Sequence, residues 1–317
     1  MTQILIALVL MALLAVIGLA WFTWNTKRGA EVAIPPKGAF LDLPGGRLHY
    51  TDEGNGPAIV MIHGLGGQMG NFTLALSPLL TDSHRVIVLD RPGMGYSERG
   101  ADAPANPRAQ AQTVVQVIDA LGLDRPLVVG HSLGGAIALC LAMEHPDKTR
   151  GLALLAPLTQ PPGGPIKAFN GLDIKNSLLR YLLSWTIAIP MSIRTAPMVL
   201  DQVFGPDPIP DDYAVKGGAL LGLRPASFRN TARDYMGSGR DLRWMAAQYD
   251  SLNVPVRILY GADDRILEAD LHGTALVEKH PHIGLEVVAG GHMLPVTRAQ
   301  DCARFIRDTE AAIAAKA

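Results

Sequence analysis

Short apolar runs alternate with amphipathic segments along most of the 317-residue chain. The apolar runs have the length and the side chains of strands that are buried on both faces, and the clearest of them cover residues 58–62, 86–89, 152–155, 256–260 and 285–289. Segments between them, such as 108–121, place apolar side chains at helical spacing. This alternation predicts right-handed crossovers and a mostly parallel, doubly wound α/β sheet with helices on both sides.

The strand and helix pattern stops after residue 157 and resumes at residue 256. We therefore expect a core formed by residues 38–157 and 251–317, with a helical cap at 158–250 inserted over the carboxyl ends of the strands. Residues 178–189 of the cap carry one charged side chain, Arg180, and are too few to span a membrane. They predict either a helix packed over the site or a lid face that contacts a membrane interface or a lipid-like substrate.

The chain begins with a separate apolar segment. Residues 4–24 carry no charge and have the length needed to cross a hydrocarbon core of ~30 Å. We expect residues 1–28 to form a single membrane anchor that contacts lipid through residues 4–24, and residues 29–37 to form a linker. Trp21 and Trp24 suit the membrane–water interface.

The side of the membrane and the fate of the segment stay open. Lys27 and Arg28 follow the apolar run and favour a cytoplasmic position for the rest of the chain. The alternative is a cleaved signal peptide on a secreted or periplasmic protein. That alternative is weakened because the first three residues lack a basic side chain and residues 18–20 match a cleavage site poorly.

Composition excludes some other functions. The net charge is −1, which argues against a nucleic-acid partner. The two cysteines, Cys140 and Cys302, lie in predicted helices and fit small buried side chains better than a disulfide framework. His280 and His282 lack further ligands, so we expect no metal site, and nothing in the chain calls for a cofactor.

The most informative stretch is Gly-x-Ser-x-Gly at residues 130–134, between a β-branched run and a helix-forming run. In that context the pattern predicts a nucleophile elbow, a tight turn that exposes Ser132 in a strained backbone conformation. Gly130 and Gly134 are then needed for the close approach of strand and helix. The helix N-terminus favours negative charge that develops at the site.

A serine nucleophile needs a base, and the base needs an acid. His292 follows the last predicted strand, at the sheet edge that also presents Ser132. Asp263 and Asp264 follow the strand at 256–260, and we expect Asp264 to be the acid. The catalytic residues would then occur in the chain order Ser132, Asp264, His292. Backbone N–H groups of Leu65 and Leu133 are the candidates for the oxyanion hole.

These motifs, taken in order, resemble those of the α/β-hydrolase superfamily over about residues 38–315. The residues that carry the resemblance are His63 to Gly67, Asp90 to Ser97, Gly130 to Gly135, Gly261 to Asp264, and Gly291-His292. The chain is similar to the lidded branch that contains esterases, lipases and carbon–carbon-bond hydrolases. Haloalkane dehalogenases and epoxide hydrolases have Asp at the elbow, so Ser132 argues against both. The cap has no motif that can be matched.

The resemblance and the residues together predict a carboxylesterase- or lipase-like serine hydrolase. It would cleave a small-molecule ester with an apolar acyl group through an acyl-enzyme intermediate. Three alternatives remain. In the first, the same triad acts on a carbon–carbon bond, a lactone or an amide. In the second, the chain is a non-catalytic binding protein. In the third, residues 4–24 are the functional part of the protein.

Overall fold

The structure is a computed structural model that describes residues 1–164 and 166–315. Eight strands form one sheet in the order β1-β2-β4-β3-β5-β6-β7-β8. The hairpin β1–β2 and the pair β2–β4 are antiparallel, whereas the other neighbouring strands are parallel. The strands are β1 Ala39–Leu43, β2 Gly46–Glu53, β3 Ala58–Ile62, β4 Arg85–Leu89, β5 Leu127–His131, β6 Gly151–Leu155, β7 Val256–Gly261 and β8 Gly284–Val288.

Helices cover both faces of the sheet. Every residue of β5 and β6 is buried, and neighbouring side chains on a strand point to opposite faces. The helices of the core are α2 Gly70–Thr73, α3 Pro107–Ala120, α4 Leu133–Glu144, α8 Ala275–Lys279, α9 Leu294–Thr297 and α10 Ala299–Ala314, with a π-helical turn at Asp270–Thr274 before α8. The predicted doubly wound α/β fold is confirmed.

Three helices lie within the predicted cap, namely α5 Ser177–Trp185, α6 Ala188–Phe204 and α7 Pro225–Ala246. The longest of them, α7, packs against α3 and α4 of the core as well as against α5 and α6. The cap is therefore attached to the core along a helix that buries eight of its residues.

The N-terminal helix α1 is longer than expected. It runs unbroken over Thr2–Ala33 and is long and apolar enough to cross a membrane. The prediction of a linker at 29–37 is therefore wrong for its first five residues. Ala30 is buried in the folded domain and favours the helix, which ends where Pro35-Pro36 no longer provides backbone N–H donors.

Candidate active site

Ser132 occupies the turn that the sequence predicts. It lies between β5 and α4 with φ 55° and ψ −121°, a backbone conformation that is strained for a residue with a side chain. A Cβ on Gly130 would lie 2.5 Å from the Gly134 carbonyl oxygen, and a Cβ on Gly134 would lie 2.0 Å from the Ile62 oxygen. Glycine at both positions is what allows strand, turn and helix to pack so closely.

The predicted base and acid are brought together at the same edge of the sheet. His292 lies in the loop after β8, and its Nδ1–H donates a 2.7 Å hydrogen bond to Asp264 Oδ2. Asp264 follows β7, and its other oxygen accepts the N–H groups of Ile266 at 2.8 Å and Leu267 at 2.9 Å. Asp264 is thus held rigidly, and the neighbouring Asp263 is exposed.

Asp264 remains ionised despite its burial. Burial alone would raise the pKa of this carboxyl group, but the His292 ring and the two backbone N–H donors outweigh burial and lower the pKa below its usual value. A charged carboxylate in this position fixes the orientation of the His292 ring and stabilises a positive charge on it.

His131 joins the serine turn to the histidine loop. Its Nε2–H donates to the His292 backbone oxygen at 2.9 Å, and the two rings lie 4.8 Å apart. Burial, together with the nearby His292, lowers the pKa of His131 to about 3, so it stays neutral at physiological pH. The bond places His292 directly beside the elbow.

The loop that carries Leu65 lies against the serine. A Cβ on Gly64 would lie 2.9 Å from Ser132 Cβ and 3.3 Å from its Oγ. Among the described residues, neither Leu65 nor Leu133 uses its backbone N–H in a hydrogen bond. Both donors that the sequence predicts are therefore available next to Ser132 for a negatively charged oxygen.

Two buried side chains hold this loop in place. His63 Nδ1–H donates to the Gly64 oxygen at 2.9 Å, and His63 Nε2 accepts the Arg91 backbone N–H at 3.0 Å. The Arg91 guanidinium donates to the backbone oxygens of His63 at 2.9 Å and Gly64 at 2.8 Å. Arg91 also donates to Asp234 of α7 at 2.7 Å. This arginine therefore connects the loop to the cap.

A second cap carboxylate, Asp207, holds the histidine loop from the other side. It accepts the Gly291 backbone N–H at 3.1 Å and the Thr297 hydroxyl at 2.9 Å, and it pairs with Arg298 at 2.6 Å. Sequence reasoning did not find Asp207 or Asp234. Their partners are 84 to 143 residues away in the chain, and a lone Asp in a cap without a known motif carries no signal.

One of the two histidines considered for a metal site has another partner. His280 pairs with Asp250 at 2.8 Å. Within residues 1–164 and 166–315, no group of three or more His, Cys, Asp or Glu side chains is arranged to hold a metal ion.

The order of the strands, the strained serine after β5 and the His–Asp pair after β7 and β8 together define a hydrolase of the α/β class. The family model of the α/β-hydrolase fold matches residues 57–181 of this chain. This match and the fold support placing the chain in the α/β-hydrolase superfamily.

Known proteins share the fold over most of the chain. A 2-hydroxy-6-oxo-6-phenylhexa-2,4-dienoate hydrolase of Burkholderia cepacia is 29% identical over 249 residues, which are 76% of this chain and 82% of the relative. The crystal structure of an α/β-hydrolase fold protein from Burkholderia ambifaria has a TM-score of 0.72 at 22% identity and covers 85% of this chain and 97% of its own. The crystal structure of a membrane phospholipase A, described as a bacterial virulence factor, has a TM-score of 0.68 at 24% identity. The match covers 98% of this chain and 99% of the phospholipase chain.

Proposed function

We propose that this hydrolase cleaves carboxylic esters through an acyl-enzyme on Ser132. The observation that carries the proposal is the buried His292–Asp264 pair at the sheet edge that carries Ser132, together with the backbone N–H groups of Leu65 and Leu133, which make no hydrogen bond among the described residues. Acyl transfer needs these parts, because a neutral serine is a weak nucleophile and the tetrahedral intermediate carries a negative oxygen. No cofactor enters this chemistry.

The reaction follows from the roles of the residues. Ser132 Oγ bonds to the acyl carbon while His292 Nε2 takes the hydroxyl proton, and the carbonyl oxygen becomes an oxyanion that accepts from the N–H groups of Leu65 and Leu133. The carbon–oxygen bond to the alcohol then breaks, and the alcohol leaves with the proton from His292. Water attacks the acyl-enzyme with His292 again as base, which releases the acid and restores Ser132.

Turnover of p-nitrophenyl esters of increasing chain length by the full chain in detergent tests the proposal. We expect Ser132→Ala to abolish turnover and labelling by a fluorophosphonate probe. Ser251→Ala is the matched control, because Ser251 is exposed in the turn before β7, at the opposite edge of the sheet. Equal ester rates for wild type and Ser132→Ala would refute the assignment.

Hydrolysis of a carbon–carbon bond is the second candidate, and the Burkholderia cepacia relative favours it because its name describes a dienoate substrate. The same serine and oxyanion donors act in that case, but the leaving group is carbon. A panel with a 2-hydroxy-6-oxo-dienoate, a lactone, an amide and simple esters separates the possibilities by kcat/KM. Turnover of the dienoate at more than ten times the best ester would replace the ester proposal.

We also propose that α1 is retained as a single-pass anchor. Support comes from its unbroken 32-residue length and from contacts between its C-terminal third and the cap. The alternative is a cleaved signal sequence. Mass spectrometry of the protein purified from the membrane fraction decides between them, since a mass lacking about twenty N-terminal residues would refute retention.

A further inference from the structure

The cap presents a large apolar surface. Eight large apolar side chains on α5, α6 and the turn between them are 41–65% exposed. We call this set the cap apolar face; it consists of Leu178, Leu179, Tyr181, Leu182, Ile187, Met191, Ile193 and Met198. Several exposed large apolar side chains on neighbouring elements of a folded domain mark a candidate interaction surface. Between residues 177 and 195 the charged side chains are Arg180 and Arg194, both basic.

The helix α1 is packed directly beside this face. It contacts α5, α6 and the 3-10 turn Ala219–Leu223. Its first part, residues 2–18, is entirely exposed, whereas Thr23 and Ala30 are buried against the domain. The apolar segment at 4–24 therefore has a free part and a part that lies alongside the cap.

The length of the free part determines how deep the cap must lie if α1 spans a bilayer. Residues 4–18 rise about 22 Å at 1.5 Å per residue, against a hydrocarbon core of ~30 Å. The remaining ~8 Å has to come from residues 19–24, which run beside the cap. The adjacent cap surface must then enter the membrane by about 8 Å, within the ~5–10 Å typical of interfacial helices.

Aromatic and basic side chains are paired on both elements. The Arg28 guanidinium lies 4.8 Å from the Trp24 ring on α1, and the Arg229 guanidinium lies 5.1 Å from the Tyr181 ring on the cap. Such pairs suit the headgroup region, where the ring contacts acyl chains and the cation contacts phosphate.

We propose that the cap apolar face docks on the bilayer that α1 spans and is inserted into the boundary between headgroups and acyl chains. The domain then has two membrane contacts, the anchor and the cap. The inference depends on α1 as a span and not on which bond is cleaved.

Site-specific fluorescence on the full chain in phosphatidylcholine vesicles tests the proposal. Cys140 and Cys302 are fully buried, and burial raises the pKa of both thiols, so an introduced cysteine is labelled selectively. A polarity-sensitive dye is attached to Leu179→Cys or Leu182→Cys. Leu10→Cys in α1 is the positive control, and Asp124→Cys, exposed at the opposite edge of the sheet, is the control for water.

We expect dyes at positions 179 and 182 to emit at shorter wavelength than the dye at 124, and to be quenched by lipids with a spin label near the top of the acyl chain. Water-like emission without quenching at 179 and 182, with position 10 quenched, would overturn the proposal. A third result is emission at shorter wavelength from positions 179 and 182 that depends on the protein-to-lipid ratio and is not quenched by the spin-labelled lipids. This result would mean that the face binds a second copy of the chain, and it would also overturn the proposal. An unquenched dye at position 10 would remove the span on which the proposal rests.

Discussion

Replacement of Asp264 by asparagine tests the candidate site most directly. In Asp264→Asn the side-chain oxygen still accepts the N–H groups of Ile266 and Leu267, so the loop keeps its shape. The new NH₂ group, however, donates to His292 Nδ1, which must now be an acceptor. The ring proton moves to Nε2, the atom that has to take the proton from Ser132 in the proposed mechanism.

The expected loss follows from that change of tautomer. We expect kcat/KM to fall about 10⁴-fold, which is about 5 kcal/mol of transition-state stabilisation. The fold should lose only about 1–2 kcal/mol, because one charge-assisted hydrogen bond becomes a neutral one. Because the folded pKa of Asp264 lies below the ~3.9 of an unfolded aspartate, its carboxylate stabilises the fold above that pH and this contribution is lost as pH falls through the folded pKa. The stability difference between wild type and variant should therefore shrink below about pH 4.

Ester turnover and thermal unfolding of the two proteins give both quantities. The matched control is Asp263→Asn, which makes the same chemical change at the neighbouring exposed carboxylate. It should retain activity within about twofold, because Asp263 is exposed and the hydrogen bond to His292 comes from Asp264 alone. If Asp264→Asn stays within tenfold of wild type, or if Asp263→Asn loses more, Asp264 is not the acid.

Three further changes have defined outcomes. Gly134→Ala forces a Cβ against the Ile62 oxygen, so unfolding should become easier by about 2–4 kcal/mol in a urea titration, whereas Gly239→Ala in α7 meets no close atom and should be neutral or stabilising. Asp207→Asn weakens the hydrogen bond from Gly291 and leaves Arg298 without its charge partner. We expect the free energy of unfolding, measured by thermal unfolding, to fall by about 1–3 kcal/mol and kcat to be lower. Unchanged values would exclude a role for the cap in holding the histidine loop. Burial lowers the pKa of His272 to about 4, so the neutral ring stabilises the fold above pH ~6.5 and this contribution is lost toward pH 4. In urea titrations between about pH 4 and pH 6.5, His272→Gln should reduce the pH-dependent change in the free energy of unfolding by up to about 3 kcal/mol, and it should leave the acid limb of activity in place.

The sheet and the elbow could be predicted because their determinants are local. A strand buried on both faces is a continuous apolar run, and a turn with no room for Cβ atoms needs glycine at fixed positions around Ser132. The juxtaposition of Asp264 and His292 followed from the sheet topology, since parallel strands deliver their carboxyl ends to one edge. Their catalytic roles stay predictions until the variants are measured.

The helix boundary at residue 33 and the cap contacts could not be predicted. Residues 29–33 have an ambiguous local pattern, and packing of Ala30 on the domain decides in favour of the helix. Asp234 gives no local sign that it neutralises Arg91 and Arg99, both of them within 2.7 Å of its oxygens. Such ion pairs depend on tertiary distances, and sequence spacing carries no information about them.

Buried ion pairs between α7 of the cap and arginines of the core hold the cap in position, because separating them requires much free energy. Asp234 is completely buried between two arginines, and removal of one partner of a buried pair typically costs ~3–5 kcal/mol. Arg91 holds the Leu65 loop with the same guanidinium, and Asp207 holds the loop of His292. Any displacement of α7 that separates Asp234 from Arg91 therefore also disturbs the Leu65 donor of the candidate oxyanion hole. Substrate entry is consequently easier through movement of α5, whose exposed apolar side chains lie beside α1, than through movement of α7 or of the end of α6 that precedes Asp207.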